Sequence, residues 1–192
     1  MSMKKVLMLG VGGGAIRAIN YIIENKPEKI KADFLCIDTD KEDLKNAKAK
    51  RMQIGKKLTK GLNSSGNPLM GVYAIYENEE AIVQILNKYE IVFVINCLGG
   101  GTGSGAAVAI VKLIKDLRLK AFCVATKPFE YELKKAIIPT DAIAEKLKYY
   151  CDILSTVDIE TQLNLIVFEL MNKKILERFI DIYDKEILKA GK

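Results

Sequence analysis

Gly99-Gly100-Gly101-Thr102-Gly103-Ser104-Gly105 decides the reading of this 192-residue chain. It follows Ile91 to Ile95, a β-branched and aromatic run that reads as a strand buried on both faces of a parallel sheet. It precedes a helical pattern from Ala106 to Leu117, in which Val108, Val111 and Ile114 recur. Five glycines in seven positions are costly in chain entropy, and a connection without a ligand would rarely need them. Such a loop can wrap backbone N–H donors around a di- or triphosphate, with the Thr102 and Ser104 hydroxyls as further donors. It is not a Walker A loop, because no Gly-Lys-Ser or Gly-Lys-Thr follows.

Upstream lies a second glycine loop, Gly10-Val11-Gly12-Gly13-Gly14, between the apolar run Lys5 to Leu9 and a helical pattern over Ala15 to Asn25. Gly10, Gly12 and Ala15 also fit the GxGxxG/A dinucleotide fingerprint, with Asp38 as a ribose-binding acid. A dinucleotide fold uses one such loop, so the second glycine run argues against it. Further strands are expected over 32–37, 120–126 and 152–157. A short helix is expected near Leu44 and Ala47, and an amphipathic one over Glu79 to Tyr89. Residues 52–71 read as loop. Glu132 to Tyr150 reads as helix, broken near Pro139 and restarted at the N-cap pair Thr140-Asp141. Glu160 to Leu188 reads as one long helix. Alternating strands and helices imply an α/β fold with a doubly wound, mostly parallel sheet flanked by helices, Rossmann-like in form. The expected organisation is a nucleotide-binding α/β domain over 1–158, a long C-terminal helix over 159–192 packed on it, and no second domain.

The sequence contains no histidine, which excludes Ser-His-Asp, Cys-His and HExxH chemistry. The four cysteines form no CxxC pair and read as small buried hydrophobes. The net charge is +6, with eight lysines and arginines between Lys41 and Lys60. That segment has no interleaved aromatics, so it reads as a solvated surface that favours a polyphosphate nearby, and nucleic acid is not the expected partner. No apolar run reaches membrane-spanning length, and Val6 to Leu9 is too short for a signal-peptide core, so a cytoplasmic location is expected.

Gly99 to Gly105 resembles the tubulin/FtsZ signature [SAG]GGTG[SAT]G, and the resemblance to FtsZ runs from about Lys4 to Asp152. Ile37-Asp38-Thr39-Asp40 is similar to the segment VNTD. Gln53-Ile54-Gly55, Leu58 to Leu62 and Gly66-Asn67-Pro68 through Gly71 are similar to QIG…LTRGL…GANPxxG. Thr126-Lys127-Pro128-Phe129 with Tyr131-Glu132 is similar to T(R/K)PFxFE. The resemblance implies guanine-nucleotide binding, GTP or GDP, with Mg²⁺ as a companion ion. It implies that Gly12, Gly13 and Gly14 hold the first phosphate loop, and that Gly100, Gly101, Thr102, Gly103, Ser104 and Gly105 hold the α- and β-phosphates. Gly66 and Asn67 would lie near the γ-phosphate, with Pro128 in the neighbouring loop and Glu132 on the ribose. Phe168-Glu169-Leu170-Met171-Asn172 resembles FGAAN, which places Phe168 and Asn172 at the base. Asp38 and Asp40 would hold Mg²⁺ through water or cap the next helix.

The departures are specific. Ala15, Ile16 and Arg17 replace the end of the GGGN loop: Ile16 is expected to crowd a phosphate, and Arg17 to offset that with charge. Ala136 stands where the family has arginine, and Val157-Asp158-Ile159-Glu160 replaces IPND. In the family, an acidic loop after the long helix enters the next subunit's site and orients the attacking water. No NxDxxD pattern occurs here. The expectation is therefore a nucleotide-binding regulatory or assembly module of a cell-division or cytoskeletal system, without autonomous hydrolysis. The alternatives are a GTPase completed in trans and a nucleotide-free scaffold. Two apolar stripes on the last helix, one from Leu163 to Ile175 and one from Leu176 to Tyr183, allow two readings: an uncovered face for a homodimer or an FtsZ-like partner, or a helix that rotates or bends to bury one face within the chain and leaves the rest as surface.

Overall fold

The computed structural model describes residues 4–128, 137–158 and 165–188. Six strands form one sheet: β1 (Val6–Val11), β2 (Asp33–Asp38), β3 (Lys50–Gln53), β4 (Ile91–Cys97), β5 (Lys120–Thr126) and β6 (Ile153–Val157). Their order is β3-β2-β1-β4-β5-β6, and every neighbouring pair is parallel. The helices are α1 (Gly13–Asn25), α2 (Lys41–Lys45), α3 (Lys56–Thr59), α4 (Pro68–Glu77), α5 (Glu79–Leu86), α6 (Gly101–Asp116), α7 (Thr140–Tyr150) and α8 (Leu165–Tyr183). A π-helical turn, Asp184–Leu188, continues α8.

The period-2 geometry of the strands sorts their side chains into two cores. Leu7, Leu9, Val92, Val94 and Cys123 face α5, α6 and α7. Val6, Met8, Phe93, Phe122 and Val124 face α1 and α8. Both faces are covered, which explains why the central strands are apolar except near their carboxyl ends, where β4 carries the buried Asn96.

Residues 52–71 are not one loop. Lys50–Gln53 pairs with β2 as an edge strand, and Lys56–Thr59 forms a helical turn. The Asn67 side chain then accepts from the Leu69 N–H at 3.0 Å and caps α4, with Pro68 at its first helical position. The second glycine run is also less of a loop than its composition suggests, because α6 starts at Gly101. Glycine is required there by close approach: a Cβ on Gly105 would collide with the Pro68 carbonyl, and one on Gly71 would lie 2.8 Å from the Ala106 nitrogen. Helices α4 and α6 therefore cross backbone to backbone. Pro139, not Thr140, precedes α7, which begins without a side-chain cap.

Among the described residues of α8, the apolar stripes merge into one buried face, with Leu170 left outside it. Met171, Ile175, Phe179, Ile182 and Tyr183 enter the core, with the Phe179 ring edge-on to Phe93 at 4.8 Å. Tyr183 Oη accepts from the Lys31 N–H and donates to the Lys31 carbonyl. Outward stand Glu169, Lys173, Glu177, Arg178, Asp181 and Lys185. Among the helix's described side chains only Leu170 is a large exposed hydrophobe, so the uncovered apolar face expected from the sequence is not present there. Among the described residues, no helix is long and apolar enough to cross a membrane.

Candidate nucleotide-binding site

The carboxyl ends of β1 and β4 lie side by side where the strand order changes direction, the position at which open α/β sheets receive ligands. After β1 the chain turns through Gly12 at φ +85°, whose N–H donates to the Ile37 carbonyl at 2.9 Å, and enters α1 at Gly13. After β4 it passes Leu98 to Gly100 and enters α6. The first N–H groups of a helix have no acceptor within it. Two such ends, Gly13-Gly14 and Gly101-Thr102-Gly103, therefore line one cleft of about 290 Å³. Together they form an anion-binding wall.

The two ends interlock. A Cβ on Gly12 would lie 2.9 Å from the Gly103 nitrogen, and one on Gly103 would lie 2.6 Å from the Cys97 carbonyl oxygen. Thr102 Oγ1 donates to Ser64 Oγ and shares a hydrogen bond with Thr39 Oγ1, each at 3.0 Å. Ser104 Oγ accepts from the Gly99 N–H at 3.3 Å. Both hydroxyls, expected to face phosphate, are otherwise engaged: Thr102 ties its segment to two other loops, and Ser104 closes a bond within its own segment. Gly100 differs: a Cβ there would meet nothing within 4 Å, so the space beside it is open.

Of the residues singled out from the sequence, Gly12, Gly13, Gly14, Arg17, Gly66, Gly100, Gly101, Thr102, Gly103 and Phe168 line the cleft. Ser104 and Gly105 lie behind it, and Pro128 is outside the lining. Asn67 and Asp40 act as caps, Asp40 accepting from the Glu42 and Asp43 N–H groups of α2. Glu132 and Ala136 fall outside the described residues. Ile16 points into the core and does not line the cleft, so it crowds no phosphate. Asn172 does not itself line the cleft: it is buried on α8 behind the lining residues Phe168 and Met171, and its Oδ1 has no hydrogen-bond partner among the described residues.

Reading the sequence for motifs missed several lining residues. Cys97 and Thr126 end β4 and β5, Leu98 and Lys127 follow them, and all four line the cleft at the carboxyl edge of the sheet beside the switch point. That rule could have found them. Asn63, Ser64 and Ser65 carry no signal of their own. Two carboxylates, Asp38 and Asp43, also line the cleft, close to where a side chain on Gly13 would sit. Asp38 is 2% exposed, and its Oδ1 accepts from the Thr39 N–H at 2.7 Å and the Asp40 N–H at 3.3 Å. Burial outweighs those two bonds, and the nearby Asp43 and Asp40 carboxylates add to it, so the Asp38 pKa is pushed up to about 6. Lys127 pairs with Asp158 at 2.6 Å, and the Arg17 guanidinium lies 5.3 Å from the centroid of the Phe168 ring.

The model of the tubulin/FtsZ family GTPase domain matches residues 5–166. The chain belongs to the tubulin/FtsZ family. The cell division protein FtsZ of Pseudomonas aeruginosa is 35% identical over 162 residues, 84% of this chain and 41% of that protein. FtsZ of Neisseria gonorrhoeae is 36% identical over 150 residues, 78% of this chain and 38% of that protein. The chain thus spans about two fifths of the curated relatives it matches. A variant of FtsZ from M. jannaschii superposes with a TM-score of 0.85 at 29% identity, over 95% of this chain and 57% of that one. A protofilament of CetZ2 from Haloferax volcanii, bound to GTPγS, shares the fold with a TM-score of 0.77 at 17% identity, over 91% of this chain and 57% of that one. The tubulin/FtsZ match ends just before Phe168. The M. jannaschii superposition covers nearly the whole chain.

Proposed function

We propose that the cleft binds a guanine nucleotide, GTP or GDP, with its phosphates on the two helix N-termini and its base against α8. The observation that carries this reading is the buried, unpartnered Oδ1 of Asn172, beside two cleft-lining residues, Phe168 and Met171. Leaving a buried acceptor unpaired costs roughly 1–3 kcal/mol. Guanine offers N–H donors on its Watson–Crick edge to such an acceptor. The open space at Gly100 and the paired N-termini suit the phosphates. Asp38 and Asp43 stand where they could hold the hydration shell of a Mg²⁺ ion, which would supply charge neutralisation at the phosphates.

The chain by itself is proposed to hold the nucleotide rather than turn it over. In FtsZ-like proteins, as the sequence resemblance implies, the water-orienting acid comes from the next subunit. A GTPase completed in trans is therefore the second reading of the same cleft. The nucleotide-free scaffold loses one of its two arguments, because Ile16 packs inward; the other, Ala136, lies outside the described residues. The relatives are named cell division proteins, and on that ground we assign this protein to a cytoplasmic cell-division or cytoskeletal system. Its partner, a second copy or an FtsZ-like protein, would meet the nucleotide face.

Titration with fluorescent GTP and GDP analogues in the presence of Mg²⁺, followed by phosphate release on the same sample, tests both parts. Guanine-selective binding without turnover is the expected result. Asn172→Leu should abolish the preference over adenine nucleotides and leave the fold intact. Equal binding of GTP and ATP by the unmodified chain, or no binding, would overturn the assignment. Sustained phosphate release would overturn the claim of inactivity alone.

A further inference from the structure

Arg17 is the one exposed residue on the turn of α1 where Ala15, Ile16, Ala18 and Ile19 are all buried. Those neighbours fix the backbone, and the Arg17 side chain projects into the cleft. Among the described residues it has no carboxylate partner, whereas the other cation of the cleft, Lys127, is paired with Asp158. The five guanidinium donors therefore have no protein acceptor among the described residues. The contact that Arg17 does make is with the face of Phe168, 5.3 Å from the ring centroid. That contact holds it at the α8 side of the cleft.

We propose that Arg17 is a specificity-determining residue: a guanine stacking on Phe168 takes the place of the guanidinium on the ring face, and the displaced guanidinium reads the N7/O6 edge while Asn172 meets the adjoining Watson–Crick edge. This rests on the nucleotide reading given above and deepens it. The chemistry discriminates. Guanine presents two acceptors, N7 and O6, that match a bidentate guanidinium. Adenine presents N7 and an amino group, so one arm of the fork would face a donor. The Asn172 acceptor answers the N–H donors of guanine from α8, and Arg17 answers its acceptors from α1. The base would be held on both edges by helices that pack against each other in one core. Arg17 belongs to the part of the first loop that departs from the GGGN pattern of FtsZ.

The test is equilibrium binding of GTP, 7-deaza-GTP and ATP to the unmodified chain, Arg17→Met and Arg17→Lys. 7-Deaza-GTP lacks the N7 acceptor and keeps every phosphate. The unmodified chain should bind GTP roughly tenfold more tightly than 7-deaza-GTP. Arg17→Met should lose that difference while still binding triphosphate, and Arg17→Lys should recover part of it. Arg17 is exposed, so both variants should melt with the unmodified chain. Equal binding of GTP and 7-deaza-GTP by the unmodified chain overturns the inference and leaves guanine binding in place. So does a uniform loss for all three ligands in Arg17→Met, which would make Arg17 a phosphate contact. Failure of the unmodified chain to bind any of the three removes the nucleotide reading and this inference together.

Discussion

Asp38 closes β2 with its carboxylate desolvated and its folded pKa raised from 3.8 to about 6. The sign follows from linkage. The folded state binds the proton more tightly than the unfolded state, so the group lowers stability above pH 6. That penalty shrinks as the pH falls and is gone below about 4. Asp38→Asn should therefore stabilise the ligand-free chain at pH 8 by on the order of 2–3 kcal/mol and change little near pH 4. Urea unfolding at the two pH values measures this. Equal effects at both would mean that the carboxylate is not desolvated. The same variant should weaken the Mg²⁺ dependence of nucleotide binding if the ion sits by Asp38. This residue was visible in the sequence as a possible ribose acid or ion holder, but its burial was not, because burial depends on how the chain folds around the end of β2. Ile16 and Arg17 teach the same point. Adjacent letters in one motif face opposite ways on α1, and only the helix phase, anchored by Ala15, Ala18 and Ile19 in the core, says which one meets the ligand.

The glycine-rich run shows where composition and structure part at the level of elements. Its glycines suggested a ligand loop, yet most of the run is the first turns of α6. Gly105 is small because the Pro68 carbonyl presses on it. Gly105→Ala should force α4 and α6 apart and destabilise the chain by roughly 2–4 kcal/mol, as overpacking in a rigid crossing does. Nucleotide affinity should fall with it, because Ser64 reaches Thr102 through the loop that α4 anchors. A melting temperature within a degree of the unmodified chain would show that the crossing relaxes freely. Strands β1, β2, β4 and β5 were legible because buried parallel strands are apolar over most of their length, whereas β6, a partly buried edge strand, was legible only as a short run of strand-forming residues after α7. β3 was not: Lys50 and Arg51 are exposed, and it exists as a strand because β2 offers it a partner. α4 was hidden by Pro68 and Gly71, although Asn67-Pro68 is itself a helix-start signal.

At the scale of the molecule, the sequence suggested a helix with one face left bare, and the structure instead makes α8 a core element with a charged exterior. An amphipathic helix of that kind needs no second cover. Its outward side, alternating Glu169, Lys173, Glu177, Arg178, Asp181 and Lys185, would have to desolvate several charges to form an interface. The larger exposed hydrophobes lie elsewhere. Leu69, Tyr73 and Tyr76 follow an i, i+4, i+7 stripe on α4, with Leu62 in the segment just before it. The nucleotide-free chain at micromolar concentration should therefore sediment as a monomer. Charge reversals on α8, such as Lys173→Glu with Arg178→Glu, should leave that unchanged. If the chain sediments as a dimer, the site of disruption decides between surfaces. Loss of the dimer in the α8 variant would restore the helix as the contact, whereas loss in Tyr73→Ser with Tyr76→Ser would place the contact on α4. The second outcome would put the partner next to Asn63–Gly66, on the rim of the nucleotide cleft, where binding of one ligand and of a second chain could be coupled.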